Sequence, residues 1–375
     1  MAGLYIHIPL CESRCAYCDF YSSTDRSIAH ALVNGLCQEM ELRRSYLKGE
    51  AIRTIYLGGG TPSVLSVAEM KRLFDKAAEL FELNLDEVTV ECNPDDVTPE
   101  YAFALSELPV NRVSMGVQSF NDADLEAINR RHTSQQALLA VDNLRNAGIN
   151  NISIDLIYGL PNQTEEGWMH NLQVATSLGV QHISAYSLTY EEGTLLYRQM
   201  EQGKVTPVSE ELSLLFYQML CQTLEEHGYE HYEISNFSLP GLAAKHNSSY
   251  WDGTPYLGLG PSAHSFNGES RQWNVADTKA YLKGIAVGKL NAEVETLTPA
   301  EAYNDRVLTS LRTSKGLDLQ RLKSDFPQFY DFCLKSAATS LRAGHLELVD
   351  DGRTLKLTKD GIFVSDAVFV DLMRV

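Results

Sequence analysis

Three cysteines, Cys11, Cys15 and Cys18, fall within eight positions of one another in "CESRCAYCDF". The whole chain has seven cysteines, so such a cluster points to metal or redox chemistry, because disulfides are rare in a reducing compartment. Zinc sites prefer four ligands in two separated pairs, and no second pair exists; a plain electron-transfer cluster normally takes four thiolates. Three thiolates on one short loop leave one iron of a [4Fe-4S] cube without a protein ligand. A small molecule can bind and be activated at such an open position. Cys37, Cys92, Cys221 and Cys333 stand alone and read as small buried thiols.

The cysteine loop follows the alternating strand "GLYIHIPL", and about Arg26 to Leu47 carries apolar residues at helical spacing. The same order repeats along the chain. "TIYLGGG" precedes a helix over 66–81, "EVTVEC" a helix over 99–108, and "RVSMGVQS" two short helices near 122–129 and 134–147. "NISIDLIYG", a helix over 164–178 and "HISAYSL" complete about six β-α units. Such units imply a parallel sheet with helices outside, doubly wound or curved into a barrel, with the active site at the carboxyl ends of the strands. Polar and glycine residues gather at that rim. After the cysteines come Gly58, Gly59 and Gly60 behind strand two, Glu91 and Asn93 at the end of strand three, Gln118 after strand four and Asp155 within strand five. A single large pocket is expected. Asp155 is costly in an apolar strand unless paired, either with a ligand or with a cation such as Arg130.

From about Tyr232 to Leu290 the chain is rich in Gly, Ser, Asn, Tyr and Trp and reads as irregular connecting structure. A helix over 299–311 opens a separate module, followed by helices near 319–323 and 328–342 and by "HLELVDDGRTLKL", a hairpin turning at Asp351 and Gly352. The expected organisation is a barrel domain over 1–231, a connecting segment over 232–297 that carries "HNSSYW", and a winged-helix-like α+β domain over 298–375.

Residues 298–375 hold 11 Lys and Arg against 11 Asp and Glu, so a packing or protein-contact role is favoured over DNA binding. The whole chain carries a formal charge of −18, which argues against broad attraction to nucleic acid or anionic lipid. Neither a basic, cleavable leader nor an apolar run of about 20 residues is present, and a cytosolic protein is expected.

The cysteine spacing is that of the radical S-adenosylmethionine (SAM) superfamily, which this region resembles. In order, "YIHIPLCESRCAYCDF", "GGGTP", "ECNP", "GVQSFN", "NRRH" and "DLIYGLP" resemble the oxygen-independent coproporphyrinogen III oxidase-like branch of that superfamily, and the resemblance covers nearly the whole chain. It implies an α/β fold, a partial (β/α)6 TIM-like barrel, with Cys11, Cys15 and Cys18 holding a [4Fe-4S] cluster. SAM, cleaved to a 5′-deoxyadenosyl radical in this superfamily, would meet Tyr5, Tyr17, Gly59, Gly60, Thr61, Glu91, Gln118, Arg130, Asp155 and Thr189. Glycines let backbone groups approach its methionine end, Glu91 can accept from an amino or ribose group, and Gln118 can donate and accept.

Two subgroups of that branch differ at Phe20. True oxidases carry a fourth cysteine there and an N-terminal extension of several tens of residues, whereas this sequence has phenylalanine and reaches its first matching residue at Tyr5. The haem-chaperone subgroup, HemW, is marked by H-N-x-x-Y-W, which "HNSSYW" over 246–251 matches; "YEISNF" and "GLGPSAHSF" are also similar. By that resemblance His246 is an axial haem ligand, Tyr250 and Trp251 are flat surfaces for the porphyrin, and His264 is a second candidate ligand. The implied partners are haem, haem-accepting client proteins and a cytosolic electron donor, with a homodimer and transient contact with membrane-associated haem proteins as further options and no nucleic acid. The alternative activity is oxidative decarboxylation of porphyrinogen propionates.

Overall fold

Successive residues of a strand point to opposite faces, and in this chain the two faces differ in chemistry. The computed structural model describes residues 2–374. Strands β1 (Ala2–Ile8), β2 (Ile52–Gly59), β3 (Leu83–Cys92), β4 (Arg112–Gln118), β5 (Asn151–Tyr158) and β6 (His182–Ser187) pair in parallel in chain order. Leu4, Ile6, Ile55, Leu57, Val88, Val90, Val113, Met115, Ile152, Ile154 and Ile183 occupy one face and join a single apolar cluster with the covering helices. Those helices are α1 (Ala29–Leu42), α2 (Val67–Leu80), α3 (Pro99–Ser106), α4 (Asp122–Ala127), α5 (Ser134–Asn146) and α6 (Glu165–Ser177). Each fully buried Leu or Ile contributes about 1.5–3 kcal/mol, so this face keeps the helices outside. Ser66 and Thr133 start α2 and α5 with reciprocal side-chain caps to Glu69 and Gln136, which fixes where each helix leaves the rim.

The opposite face carries Tyr5, His7, Tyr56, Glu87, Glu91, Arg112, Ser114, Ser153, Asp155, His182 and Ser184, alternating with the apolar set. Curving the sheet turns these groups inward, giving the expected partial α/β barrel a polar interior.

The expectation of irregular structure over 232–290 is corrected. After α7 (Leu195–Glu201) and α8 (Glu210–Glu226), strands β7 (Glu230–Glu233) and β8 (Asn236–Ser238) extend the sheet antiparallel beyond β6. Helix α9 (Lys245–Asp252) then leads to β9 (Tyr256–Leu259), which returns to pair in parallel with β1. Strands β10 (His264–Phe266), β11 (Ser270–Asn274) and β12 (Ala292–Thr296), with α10 (Thr278–Ile285) before the last, complete a twelve-stranded sheet. These strands are only three to five residues long. Such lengths carry too little period to be seen in sequence, but Phe237, Leu257, Leu259 and Tyr281 pack into the barrel core.

A buried carboxylate holds this returning edge. Glu39 of α1 accepts from Tyr281 Oη (2.7 Å), Asn274 Nδ2 (2.7 Å), the Gly260 amide (2.7 Å) and Arg43 Nη1 (3.2 Å). Arg43 also donates to the Gly258 carbonyl at 2.8 Å. A buried ion pair is tolerable only when its remaining valences are met, as they are here.

The C-terminal module has its own core around Tyr303, Val307, Leu311, Cys333 and Phe369. It comprises α11 (Pro299–Leu311), β13 (Leu317–Asp318), α12 (Leu319–Asp325), α13 (Pro327–Ala343), β14 (Leu346–Val349), β15 (Thr354–Leu357), α14 (Lys359–Phe363) and α15 (Ser365–Leu372). The expected hairpin turns through Asp350, Asp351 and Gly352, all left-handed (φ 53, 55 and 78°), a conformation Asp tolerates better than most residues. Strand β13 adds a third strand to it, and α14 and α15 were not visible as periodic segments. No helix among the described residues is long and apolar enough to cross a membrane.

Glu39→Ala would strand the buried Arg43 and leave three donors unmet. A loss of about 3–5 kcal/mol is expected, read as a lower urea midpoint. An unchanged midpoint would show that the edge does not depend on this carboxylate.

Candidate metal and cofactor site

The cysteine loop is pinned by backbone bonds and by the Glu12 carboxylate, which pairs with Arg26 and with Arg131 (3.3 Å). The Cys11 amide donates to the Ser23 carbonyl (2.9 Å), the Ala16 amide to the Ile128 carbonyl (2.9 Å), and the Leu196 amide to the Ala16 carbonyl (2.8 Å). Asn129 Nδ2 donates to the Arg14 carbonyl at 2.8 Å. All three thiols line one cavity of about 540 Å³ at the carboxyl ends of the strands. Burial raises the Cys11 thiol and pushes Cys18 up to about 11. Thr61 Oγ1 approaches Cys11 Sγ at 3.6 Å and Arg130 Nη1 approaches Cys15 Sγ at 3.3 Å, so two of the sulfurs have donors that favour thiolate.

The facing wall comes from β2 to β6. Gly59 has φ +109°, and a Cβ there would lie 2.4 Å from the His7 ring. At Gly60 a Cβ would meet the Ile8 and Leu10 carbonyls at 2.8 Å, so glycine is what lets this turn pass beneath the cysteine loop. Glu91 accepts from Tyr56 Oη (2.7 Å) and the Gly59 amide (3.0 Å). Burial, with Asp155 nearby, pushes the Glu91 carboxyl up to about 7. Asp155 is likewise raised by burial, opposed by Ser184, Arg112, Arg130 and Ser114. Arg130 donates to Asn93 Oδ1 at 2.7 Å and to the Gly116 carbonyl, while its Nε is buried without a partner. Gln118 sits at a shift in the β4–β5 register with φ +68°, a strained backbone of the kind found where a side chain is aimed at a ligand.

The cavity thus gathers Cys11, Cys15, Cys18, Tyr17, Gly59, Gly60, Thr61, Glu91, Gln118, Arg130, Asp155 and Thr189 on one wall system. Tyr5 lies below it, with its hydroxyl 3.0 Å from His7 Nδ1. Among the described residues no three His, Cys, Asp or Glu converge tightly enough to hold a single metal ion.

The "HNSSYW" stretch lies elsewhere, with its imidazole enclosed. It forms α9, lodged at the opposite, amino end of the barrel strands. Glu87 of β3 accepts from the Lys245 amide (2.7 Å) and the His246 amide (3.0 Å), satisfying the helix N-terminus. His246 is fully buried; Nδ1 is 2.8 Å from Thr54 Oγ1 and Nε2 is 2.8 Å from Tyr250 Oη. Its ring stacks on Tyr56 at 5.1 Å. Both nitrogens are therefore engaged and neither offers a lone pair to an iron in this conformation. Trp251 lies under the Arg312 guanidinium at 4.9 Å. His264 is exposed on β10, stacked on Trp273 at 6.0 Å.

The model of the Radical SAM superfamily matches residues 5–175. Over 369 residues the chain is 36% identical to the heme chaperone HemW of Lactococcus lactis subsp. lactis (strain IL1403), covering 97% of this chain and 95% of that protein. It is 34% identical over 374 residues to the heme chaperone HemW of Bacillus subtilis (strain 168), covering 98% of each. The chain belongs to the HemW family of radical SAM proteins. Its fold is that of the solved coproporphyrinogen III oxidase (HemN) from Escherichia coli, with a TM-score of 0.86 at 24% identity over 99% of this chain and 90% of that one.

Membership of the superfamily implies a [4Fe-4S] cluster and SAM. The cavity fits such a pair. It offers three soft thiol donors on one side, and on the other a glycine turn, two carboxyls and the buried, unpartnered Arg130 Nε.

Sequence reasoning passed over Tyr56, Arg112, Glu87 and His132. His132 hydrogen-bonds Asn93 (3.1 Å) and the Val117 carbonyl (3.0 Å), holding the partner of Arg130 in place. The polar members of β3 and β4 recur every second residue, Glu87-Thr89-Glu91 and Arg112-Ser114, and that alternation was the available signal.

Burial holds the buried imidazoles neutral, lowering His7 to about 4 and His246 to about 3 from 6.5. The unfolded chain binds protons below pH 6.5 that the fold refuses, so stability present above that pH is lost as pH falls towards 4. Each ring contributes a slope of about 1.4 kcal/mol per pH unit in that window. The raised Glu91 and Asp155 carboxyls take up protons in the fold and work in the opposite direction, Glu91 offsetting about one ring. Urea midpoints of the Glu91→Gln variant should therefore drop more from pH 7 to pH 5 than those of the wild type; no drop in either would show the rings charged in the fold.

Proposed function

We propose that this chain is a haem-binding chaperone that carries a [4Fe-4S] cluster on Cys11, Cys15 and Cys18, holds SAM beside it and delivers haem to client proteins. The observation that carries this reading is the cavity itself. Three thiols face Glu91, Asp155 and Gln118 across about 540 Å³, in a chain whose relatives over nearly its full length are named heme chaperones. When bound, the cluster and SAM together supply reductive cleavage of SAM.

The chain's own residues bind and orient. Two of the roughly four lone-pair positions of Glu91 are taken by Tyr56 and the Gly59 amide, leaving acceptor capacity toward the cavity for an ammonium. A cation there would keep this carboxyl ionised despite its burial. Asp155 and Gln118 suit hydroxyls, and the glycine turn admits backbone contact. Arg130 and Thr61 stabilise thiolate at Cys15 and Cys11. Phe20, where the oxidase subgroup has a fourth cysteine, is two-thirds exposed at the cavity mouth.

Two measurements test this reading. By anaerobic calorimetry on cluster-loaded protein, Glu91→Ala should weaken SAM binding at least about tenfold, roughly 1.4 kcal/mol, and an unchanged affinity would remove Glu91 from the site. The purified chain should bind haem in a spectrophotometric titration and leave coproporphyrinogen III unconverted under reductant and SAM. Accumulation of protoporphyrinogen would replace the chaperone reading with the oxidase one.

A further inference from the structure

Tyr56 does not line the cysteine cavity, yet its hydroxyl donates to Glu91 Oε1 at 2.7 Å and so fixes where that carboxylate points. The reach depends on the residue between them. Positions 54, 56 and 58 of β2 fall on one face, and Tyr56 crosses position 58 to meet the carboxylate on the neighbouring strand. A Cβ at Gly58 would lie 2.7 Å from Tyr56 Cε1 and 3.0 Å from Glu91 Oε1. Gly58 therefore makes room for the bond, a role distinct from the turn at Gly59 and Gly60.

One face of the Tyr56 ring is covered by α9. The His246 imidazole stacks on it at 5.1 Å with the planes 25° apart, and is itself held by Thr54 and Tyr250 at 2.8 Å each. Tyr5 flanks both rings, 6.1 Å from Tyr56 and 6.3 Å from His246. Burial, with the Glu91 charge beside it, holds the Tyr56 hydroxyl well above its usual range, so it is a constant donor near neutral pH. Facing Glu91 are Tyr5 of β1, Tyr56 of β2, Arg112 of β4, Asp155 of β5 and Tyr250 of α9. Burial raises the Glu91 carboxyl, and Tyr56 is foremost among the groups that oppose it, ahead of the Gly59 amide and Arg112.

We infer that Tyr56 is a positioning residue of the SAM site, aiming the Glu91 carboxylate, and that His246 packed on its ring makes α9 part of that aim. The inference rests on the reading of Glu91 as acceptor for the SAM ammonium and deepens it. Its consequence is regulation. Whatever displaces His246 alters SAM affinity, and by reciprocity SAM held at Glu91 alters the cost of moving α9.

The test is calorimetric titration of SAM into the cluster-loaded full chain from about pH 6 to about pH 9, a range that spans the Glu91 titration. The ammonium of SAM titrates alike for every variant, so differences between variants belong to the protein. Wild-type affinity should fall as pH drops through about 7. Tyr56→Phe keeps the ring and its stack but removes the bond, and should raise Kd at least about tenfold near neutral pH and move that fall to higher pH. Gly58→Ala, which intrudes on the same bond, should move it the same way. His246→Gln should raise Kd about threefold alone and add nothing in the Tyr56→Phe background.

Unchanged binding by Tyr56→Phe, or binding weakened equally at every pH, would overturn the inference and, with Glu91→Ala impaired, leave the SAM reading standing. A further loss on adding His246→Gln to Tyr56→Phe would route α9 through Tyr5 and overturn it as well. A wild type that binds no SAM, or a Glu91→Ala variant that binds it normally, would overturn the inference together with the reading beneath it.

Discussion

Six parallel strands with apolar outer faces must do something with the polar residues that alternate between them, and the architecture follows from how those inward groups are satisfied. Arg112 is the centre of the problem. It is almost fully buried, two of its guanidinium nitrogens have no hydrogen-bond partner, and its charge is felt by Tyr56, Glu91, Asp155, His182 and His246. A buried cation of this kind is tolerated only among carboxylates and oriented dipoles, so Glu91 and Asp155 stabilise it from above while the imidazoles beside it remain neutral. The cofactor wall therefore borrows its carboxylates from a network that the barrel needs in any case.

The floor of the barrel is governed by the same demand. Glu87 would be an unmatched buried acid were it not for the two amides of α9, and α9 would begin with orphan donors were it not for Glu87. Inserting that helix places His246 against Tyr56, whose hydroxyl bonds Glu91. The motif and the cavity wall that carries Glu91 consequently share one ring. A displacement of α9 cannot leave Tyr56 untouched, and any shift of Tyr56 reaches Glu91 through a 2.7 Å hydrogen bond.

The barrel was legible because each strand is long enough to show its period and because the rim residues belong to strand ends, where position in the sequence gives position in space. Cys11, Gly59, Glu91 and Gln118 needed no more than that. The edge strands were hidden because three residues such as Asn236–Ser238 carry no measurable alternation, and their pairing is decided by partners far away in the chain. The surroundings of His246 were hidden for a related reason. Its hydrogen bonds with Thr54 and Tyr250 join elements nearly two hundred positions apart or lie within a helix the composition had disguised. Cys221 shows the converse, since nothing around it in sequence indicates that the C-terminal module folds back to make one side of a cleft.

A second cavity, between α8 with β8 and the end of α14, shares no lining residue with the cysteine site, one ending at Glu191 and the other beginning at Leu214. Here the cysteine loop is pinned by backbone bonds to β-α loops at the carboxyl rim, whereas the cleft is formed by an edge of the sheet and a module with its own core. The module is joined to the barrel by the Ile234 amide on the Arg312 carbonyl (3.2 Å), the Ser314 amide on the Tyr232 carbonyl (2.9 Å) and the ion pairs Arg312–Glu233, Arg271–Asp305 and Lys359–Glu225, contacts that involve none of the cysteine loop.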